Sequence, residues 1–122
     1  MADQLGRAIA DRGCLLITGV TTGLPDVVIY TGFGLKERNV VNIRSSDIMV
    51  IFGGSMGTPN EFTIAYDEGK IIGVLEDSGG VVDHVRGLVD SLAKGTTAAL
   101  FFERDADQLT RVCLAELARR AG

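Results

Sequence analysis

Short runs of apolar residues alternate along this chain with longer segments in which apolar positions recur every three or four residues. Unbroken apolar runs are typical of strands buried on both faces of a sheet, and the longer spacing is typical of amphipathic helices. The runs predict strands at 14–18, 27–30, 48–52, 71–75 and 97–102, and the periodic segments predict helices at 3–12, 35–45, 58–69, 82–94 and 105–120. This alternation predicts an α/β fold of three layers, with a mostly parallel sheet of about five strands and helices on both faces.

A buried strand, a glycine-rich turn and a helix start follow one another within residues 47–69. Thr58, Pro59 and Glu61 stand at the N-cap, N1 and N3 positions of the helix, which is the spacing of a capping box. Loop amides and the positive end of the helix dipole converge there, and glycines let a ligand approach the backbone. The pattern predicts a phosphate site, and it matches neither the P-loop nor the GxGxxG spacing. A tight turn without a ligand explains the glycines equally well.

A second glycine-bearing loop, with Gly19 and Gly23, directly follows the strand predicted at 14–18. Ligands of open α/β sheets bind beyond the carboxyl ends of parallel strands, so both loops are predicted to face one crevice. Arg38 lies in the first or second turn of the helix predicted at 35–45, within reach of that crevice. A solvated helix arginine is the alternative interpretation.

Composition and charge narrow the class of protein. With 122 residues the chain is expected to form one domain, 1–122, around a single core. The net charge of −4 gives no reason to expect binding to nucleic acid or to an anionic membrane. Polar residues interrupt every apolar run of segment 1–13, so neither a signal peptide nor a transmembrane segment is predicted, and the protein is expected in the cytoplasm.

The two cysteines and the histidine suggest no metal chemistry. Cys14 falls in a predicted strand and Cys113 on the apolar side of a predicted helix, so both are predicted to be buried thiols rather than a disulfide or metal ligands. His84 is the only histidine of the chain, which argues against most zinc sites. No metal site is predicted.

A helix arginine, Arg38, precedes a strand that ends in GGSMGTPNE, residues 53–61. This arrangement resembles the LOG ("Lonely Guy", formerly lysine-decarboxylase-like) family and its molybdenum-cofactor-carrier-like relatives, which carry an arginine on one helix and then PGGxGTxxE or GGGxGTxxE. Gly53 replaces the proline of the first motif, and Ser55 replaces a glycine. The similarity extends over about residues 13–102 and implies a Rossmann-like nucleotide-binding fold.

The resemblance also implies a ligand and an activity. LOG enzymes hydrolyse the N-glycosidic bond of cytokinin riboside 5′-monophosphates, and their arginine and glutamate correspond to Arg38 and Glu61, the candidate catalytic residues here. The implied ligand is a nucleoside monophosphate or a phosphorylated pterin-type molecule. The residues expected to bind it are Gly19, Gly23, Gly53, Gly54, Ser55, Met56, Gly57 and Thr58. A capping role for Glu61 competes with catalysis, because a carboxylate bonded to the backbone is not available for chemistry.

The chain departs from the family pattern between Pro25 and Val27, where the family has a further helix and strand. The loop left here is short for a parallel crossover, so the strands at 14–18 and 27–30 are not expected to be parallel neighbours. The shortened sheet is expected to expose apolar surface that a second copy covers, giving a homodimer or larger homo-oligomer. Three functions follow, in order of preference: a binding protein for a phosphorylated nucleoside, a nucleoside 5′-monophosphate phosphoribohydrolase, and an assembly fold without a ligand.

Overall fold

The computed structural model describes residues 2–14, 35–53, 57–91 and 97–122. The described helices are α1 (Ala2–Asp11), α2 (Leu35–Arg44), α3 (Gly57–Asp67), α4 (Val85–Ser91, preceded by a 3-10 helix at Gly80–His84) and α5 (Ala106–Ala121), and the strands are β1 (Ile48–Ile51), β2 (Ile71–Leu75) and β3 (Ala99–Glu103). The strand predicted at 27–30, and residues 15–18 of the strand predicted at 14–18, lie outside the described residues. Cys14 is described. It follows α1 outside any strand and is half-buried, so the prediction of a buried strand thiol is wrong at this position.

The described strands form one parallel sheet in the order β1-β2-β3. Ile48 of β1 lies opposite Ile71 of β2, which in turn lies opposite Ala99 of β3. Consecutive parallel strands need a crossover connection, and the segments that contain α3 and α4 provide the two crossovers. The prediction of a parallel α/β sheet is therefore confirmed.

Side chains of each strand alternate between the two faces of the sheet, and helices cover both faces. One face is buried by α2, α3, the 3-10 helix and α4, and its core consists of Ile43, Ile51, Phe62, Ala65, Tyr66, Ile72, Val74, Val82 and Val85. The other face is buried by α1 and α5, and its core consists of Leu5, Ile71, Leu75, Ala106, Leu109 and Cys113. Helices on both faces give the three layers that the alternation of elements predicts.

The contact between α5 and β2 depends on a glycine in the middle of the sheet. A Cβ atom at Gly73 would lie 2.9 Å from Sγ of Cys113 and 3.1 Å from Cδ1 of Leu109. Both distances are shorter than ordinary van der Waals contacts, so α5 can lie directly on β2 only because Gly73 has no side chain. The buried position of Cys113, predicted from the apolar face of its helix, is confirmed.

Glycine caps end two of the described helices, at the ends of the ranges predicted at 3–12 and 58–69. Gly13 after α1 and Gly69 after α3 adopt φ angles of +69° and +72°, a left-handed conformation that costs glycine little. At each end two backbone bonds close a Schellman motif; after α3 the N–H of Lys70 donates to the carbonyl of Ala65 at 3.0 Å. The Asp105 carboxylate accepts a 2.9 Å bond from the N–H of Gln108 and caps the start of α5.

The helix predicted at 82–94 differs from the observed one in its first turn. That turn is a 3-10 helix, which has fewer residues per turn, and the α-helix begins only at Val85. Val82 and Val85 are buried, whereas Leu88, an apolar position of the same predicted helix, is 36% exposed. Among the described residues, every helix is too short or too polar to cross a membrane.

Candidate functional site

The carboxyl ends of the three described strands lie at one edge of the sheet, because the strands are parallel. Phe52 and Gly53 follow β1, the turn at 76–79 follows β2, and Arg104 follows β3. Phe52, a large apolar side chain directly after β1, is 43% exposed at this edge. This edge is where open α/β sheets bind ligands, and it is the edge that the sequence predicts.

Gly53 is bonded through both of its backbone polar groups to the segment that follows β2. Its N–H donates to Oγ of Ser78 at 2.8 Å, and its carbonyl accepts from the N–H of Val82 at 3.2 Å. The Ser78 hydroxyl donates in turn to the carbonyl of Leu75 at 2.6 Å. The beginning of the β1–α3 loop is therefore tied to the end of the neighbouring strand.

Gly53 also adopts a φ angle of +58°. Proline cannot replace it, because the pyrrolidine ring fixes φ near −65° and proline has no N–H to donate to Ser78. The LOG motif has proline at this position in PGGxGTxxE. The departure from that motif thus has a structural reason in this chain. The first residue of the loop must adopt a positive φ angle and must donate an N–H to Ser78, and glycine can do both.

The turn after β2 contains an unusual run of left-handed residues. Asp77, Gly79 and Gly80 have φ angles of 59°, 83° and 61°. Glycine adopts these angles at little cost, and aspartate is among the few other residues found there with some frequency. This backbone path carries Ser78 between Asp77 and Gly79 and brings its hydroxyl to the N–H of Gly53.

Two arginines at this edge are engaged by carboxylates. Nε of Arg86 lies 2.7 Å from Oε2 of Glu76, and Nε of Arg104 lies 2.9 Å from Oδ2 of Asp77. The hydrogen bond from Arg86 lowers the pKa of Glu76 below its ordinary value and raises the pKa of Arg86. The Arg86 guanidinium also lies 4.1 Å from the centre of the Phe102 ring. Because both arginines are already paired with carboxylates in the turn after β2, a phosphate at this edge would be bound chiefly by other donors.

The candidate catalytic residues lie on two helices that pack against each other. Arg38 lies in the first turn of α2, and Glu61 lies in α3, where it is half-buried. Arg44, at the end of α2, forms a 2.9 Å ion pair with Glu68, just beyond the end of α3. Since both helices end at this shared point near the amino edge of the sheet, their first turns both lie towards the carboxyl edge. The backbone of Arg38 and the start of α3 therefore both lie towards the carboxyl edge of the sheet.

The start of α3 differs slightly from the capping-box prediction. The helix begins at Gly57, one residue ahead of the predicted cap Thr58, a difference within the usual range for helix ends. The capping roles of Thr58 and Glu61 remain predictions. Gly57 and Thr58 lie in the first turn of α3, and five further candidate residues lie outside the described part of the chain: Gly19, Gly23, Gly54, Ser55 and Met56.

Sequence reasoning identified Gly53 but missed Ser78. The signal available was a small hydroxyl residue in the turn Asp77-Ser78-Gly79-Gly80, directly after the strand that neighbours β1. That signal has no meaning until the strand order is known, because Ser78 acts on a residue 25 positions earlier.

Elsewhere, a cleft of about 330 Å³ lies between α1 and the start of α5. Asp11, Asp105 and Asp107 line it together with Arg7, and Asp107 is engaged by Arg12 at 2.6 Å. Its carboxylates make it a poor site for a phosphate. Within the described residues, no three His, Cys, Asp or Glu side chains converge as a metal site would require.

Comparison with known proteins places this α/β chain in a superfamily that includes LOG-like proteins. Residues 24–110 match the SLOG cluster4 family, and the match covers well over half of the chain. The chain belongs to the SLOG cluster4 family. An uncharacterized protein of Archaeoglobus fulgidus is 30% identical over an alignment 105 positions long, and the alignment covers 62% of this chain and 69% of that protein. No solved structure matches the chain.

Proposed function

We propose that this protein binds a phosphorylated nucleoside at the carboxyl edge of the sheet, with the phosphate on backbone amides between β1 and α3. Membership of the SLOG cluster4 family supports a nucleotide-related ligand. The observation that carries the proposal is local: β1 leads through Gly53, at φ +58°, into a helix that begins at Gly57. The N-terminus of such a helix favours an anion through its unpaired N–H groups and its dipole.

The charge at the start of α3 suits an anion. Its first turn, Gly57–Asn60, contains neither aspartate nor glutamate to repel a phosphate. Because the N–H of Gly53 is already bonded to Ser78, the amides proposed for the phosphate are those of residues 54–58. A nucleoside monophosphate and a phosphorylated pterin-type molecule both carry the required phosphate. They differ in their ring system, so separate titrations with each show which ring the site accepts.

Isothermal titration with adenosine monophosphate, a phosphorylated pterin and inorganic phosphate tests the proposal. We expect the parent to bind at least one of them, and ligand at about a hundred times its dissociation constant to add about 2.7 kcal/mol to the free energy of unfolding. Gly57→Val should abolish binding by crowding the helix start. Gly87→Val is the matched control, because Gly87 is a helical glycine with open space around its Cβ position. Absence of binding in the parent, or full affinity in folded Gly57→Val protein, would contradict the proposal.

A second candidate function is hydrolysis of the N-glycosidic bond of a nucleoside 5′-monophosphate. This function is favoured because the backbone of Arg38 and the start of α3 both lie towards the carboxyl edge of the sheet. In this reaction the bond from C1′ to the base nitrogen breaks, the hydroxyl of water joins C1′, and the base takes up the proton. Glu61 would orient the water or stabilise the oxocarbenium-like ribose, and Arg38 would hold the phosphate or ribose.

Glu61→Gln separates a capping role of this residue from a catalytic one. Glutamine also serves in capping boxes, so a capping role predicts a small change in melting temperature and no change in any turnover. A catalytic role predicts turnover at least about a hundredfold slower in an equally stable variant. Release of adenine and ribose 5-phosphate from adenosine monophosphate, followed by chromatography, gives the readout. Glu68→Gln, which removes the ion pair with Arg44, is the control for loss of a carboxylate nearby.

We also propose that the protein self-associates. Phe52 and Leu88 are large apolar side chains that remain exposed in the single chain, in line with the expectation that a shortened sheet leaves apolar surface uncovered. Light scattering across micromolar concentrations should give at least twice the monomer mass of 12.9 kDa. A monomer mass throughout would rule the proposal out.

A further inference from the structure

The Ser78 hydroxyl holds two segments of the chain together at the carboxyl edge of the sheet. It accepts the N–H of Gly53 at 2.8 Å and donates to the carbonyl of Leu75 at 2.6 Å. The first group belongs to the beginning of the β1–α3 loop and the second to the last residue of β2. The hydroxyl thus completes a chain of hydrogen bonds from one strand end to the next, and bonds in such a chain strengthen one another.

We propose that Ser78 is a positioning residue, which fixes the starting direction of the loop that binds the phosphate. This inference rests on the proposed function. The loop has few residues in which to redirect the chain, since Gly53 follows β1 and α3 begins at Gly57. A change in the orientation of the Gly53 peptide therefore alters the directions of the amides that follow it.

A hydroxyl suits this position because it donates and accepts at the same time. Alanine leaves the half-buried N–H of Gly53 and the carbonyl of Leu75 without this partner. Among the bonds to described residues, Gly53 then keeps the one between its carbonyl and the N–H of Val82. A single bond lets the peptide between Phe52 and Gly53 rotate, whereas two bonds at opposite ends of Gly53 hold it. Threonine retains the hydroxyl and should retain the geometry.

The test compares three variants with the parent. Ser78→Ala removes the bridge, Ser78→Thr retains it, and Ser46→Ala is the matched control. The Ser46 hydroxyl donates to the carbonyl of Asn42 at 2.7 Å before β1, so its removal also deletes one hydroxyl bond but at the opposite edge of the sheet. Two quantities are measured in each protein: the dissociation constant for adenosine monophosphate, and the hydrogen-exchange rate of individual backbone amides without ligand.

We expect Ser78→Ala to bind adenosine monophosphate about tenfold more weakly, in the range that follows from the loss of one hydrogen bond to a half-buried donor. Exchange of the Gly53 amide should accelerate by a similar factor, whereas exchange of the Ile72 and Val74 amides in β2 should not change. Ser78→Thr should restore both values, and Ser46→Ala should leave both as in the parent. This pattern in folded proteins would support the positioning role, because a general loss of stability would change β2 as well and would not be restored by threonine.

Two results would overturn the inference. One is unchanged exchange at Gly53 in Ser78→Ala, which decides against the bridge whether or not the parent binds a nucleotide. The other is affinity in folded Ser78→Ala equal to that of the parent. Absence of nucleotide binding in the parent would instead refute the proposed function, and with it the ligand that Ser78 is proposed to serve. The measurements on the parent and on the variant therefore separate the two failures.

Discussion

The conformation of Gly53 can be tested by substitutions of graded severity. Asparagine, alanine and proline make increasing demands at a φ angle of +58°. Asparagine tolerates left-handed angles better than most residues, and alanine pays roughly 1–2 kcal/mol for them. An added Cβ meets no serious obstacle among the described residues, where the nearest atom to its position is the Ser78 carbonyl oxygen at 3.7 Å. The cost of the alanine substitution should therefore come from the backbone.

Proline combines two defects at the same position. Its ring holds φ roughly 120° away from the observed angle, and it removes the N–H that Ser78 accepts. Rearrangement of the loop and loss of this bond should together cost about 3 kcal/mol or more. The expected order of stability is parent, Gly53→Asn, Gly53→Ala and then Gly53→Pro, even though proline is the residue in the corresponding LOG motif.

Urea unfolding followed by far-ultraviolet circular dichroism gives the free energy of unfolding of each variant, and titration with adenosine monophosphate gives its affinity. Gly13→Ala is the control, because Gly13 has a similar φ angle of +69° and open space at its Cβ position but lies at the end of α1. It should lose about as much stability as Gly53→Ala and keep the ligand affinity of the parent. A proline variant as stable as the parent, or more stable than Gly53→Ala, would refute this account of the loop.

Three further predictions concern packing, thiol reactivity and pH. Gly73→Ala should lower the free energy of unfolding by about 1–3 kcal/mol, because its Cβ would lie 2.9 Å from Sγ of Cys113. Combination with Cys113→Ala should recover part of this loss, and strictly additive losses in a urea double-mutant cycle would contradict the prediction. Burial raises the pKa of the Cys113 thiol to about 12, so Ellman's reagent should modify half-buried Cys14 first and Cys113 only on unfolding; equal rates would contradict this. Hydrogen bonds from Arg119 and a neighbouring arginine lower the pKa of Glu116 to about 2, so its contribution is fully present above the unfolded pKa near 4.5 and is lost as pH falls towards 2. Glu116→Gln should therefore weaken the fall in stability between pH 5 and pH 2, and an unchanged pH dependence would contradict the assignment.

The sequence alone determined which local structures form and where several of them end. The apolar run at 71–75 is β2, fully buried, and the periodic segment predicted as a helix at 105–120 is α5. Gly13 and Gly69 end their helices because glycine adopts the positive φ angle of a helix cap at little cost. These signals involve residues a few positions apart, so the residues that decide each element lie within the element or next to it. The alternation of strands and helices then leaves a parallel three-layer sheet as the natural arrangement.

Only the tertiary structure decided which distant residues meet. Ser78 acquires its role because β2 lies beside β1, and Gly73 is required because α5 crosses β2 directly above it. Val85 and Leu88 share the helical spacing of apolar positions in α4, yet Val85 is buried and Leu88 is exposed. Gly53 is a glycine of the predicted loop, yet its positive φ angle and its two bonds to the segment after β2 depend on residues 25 and 29 positions away. Strand order and packing bring these residues together, and no periodicity or motif along the chain encodes such a pairing by itself.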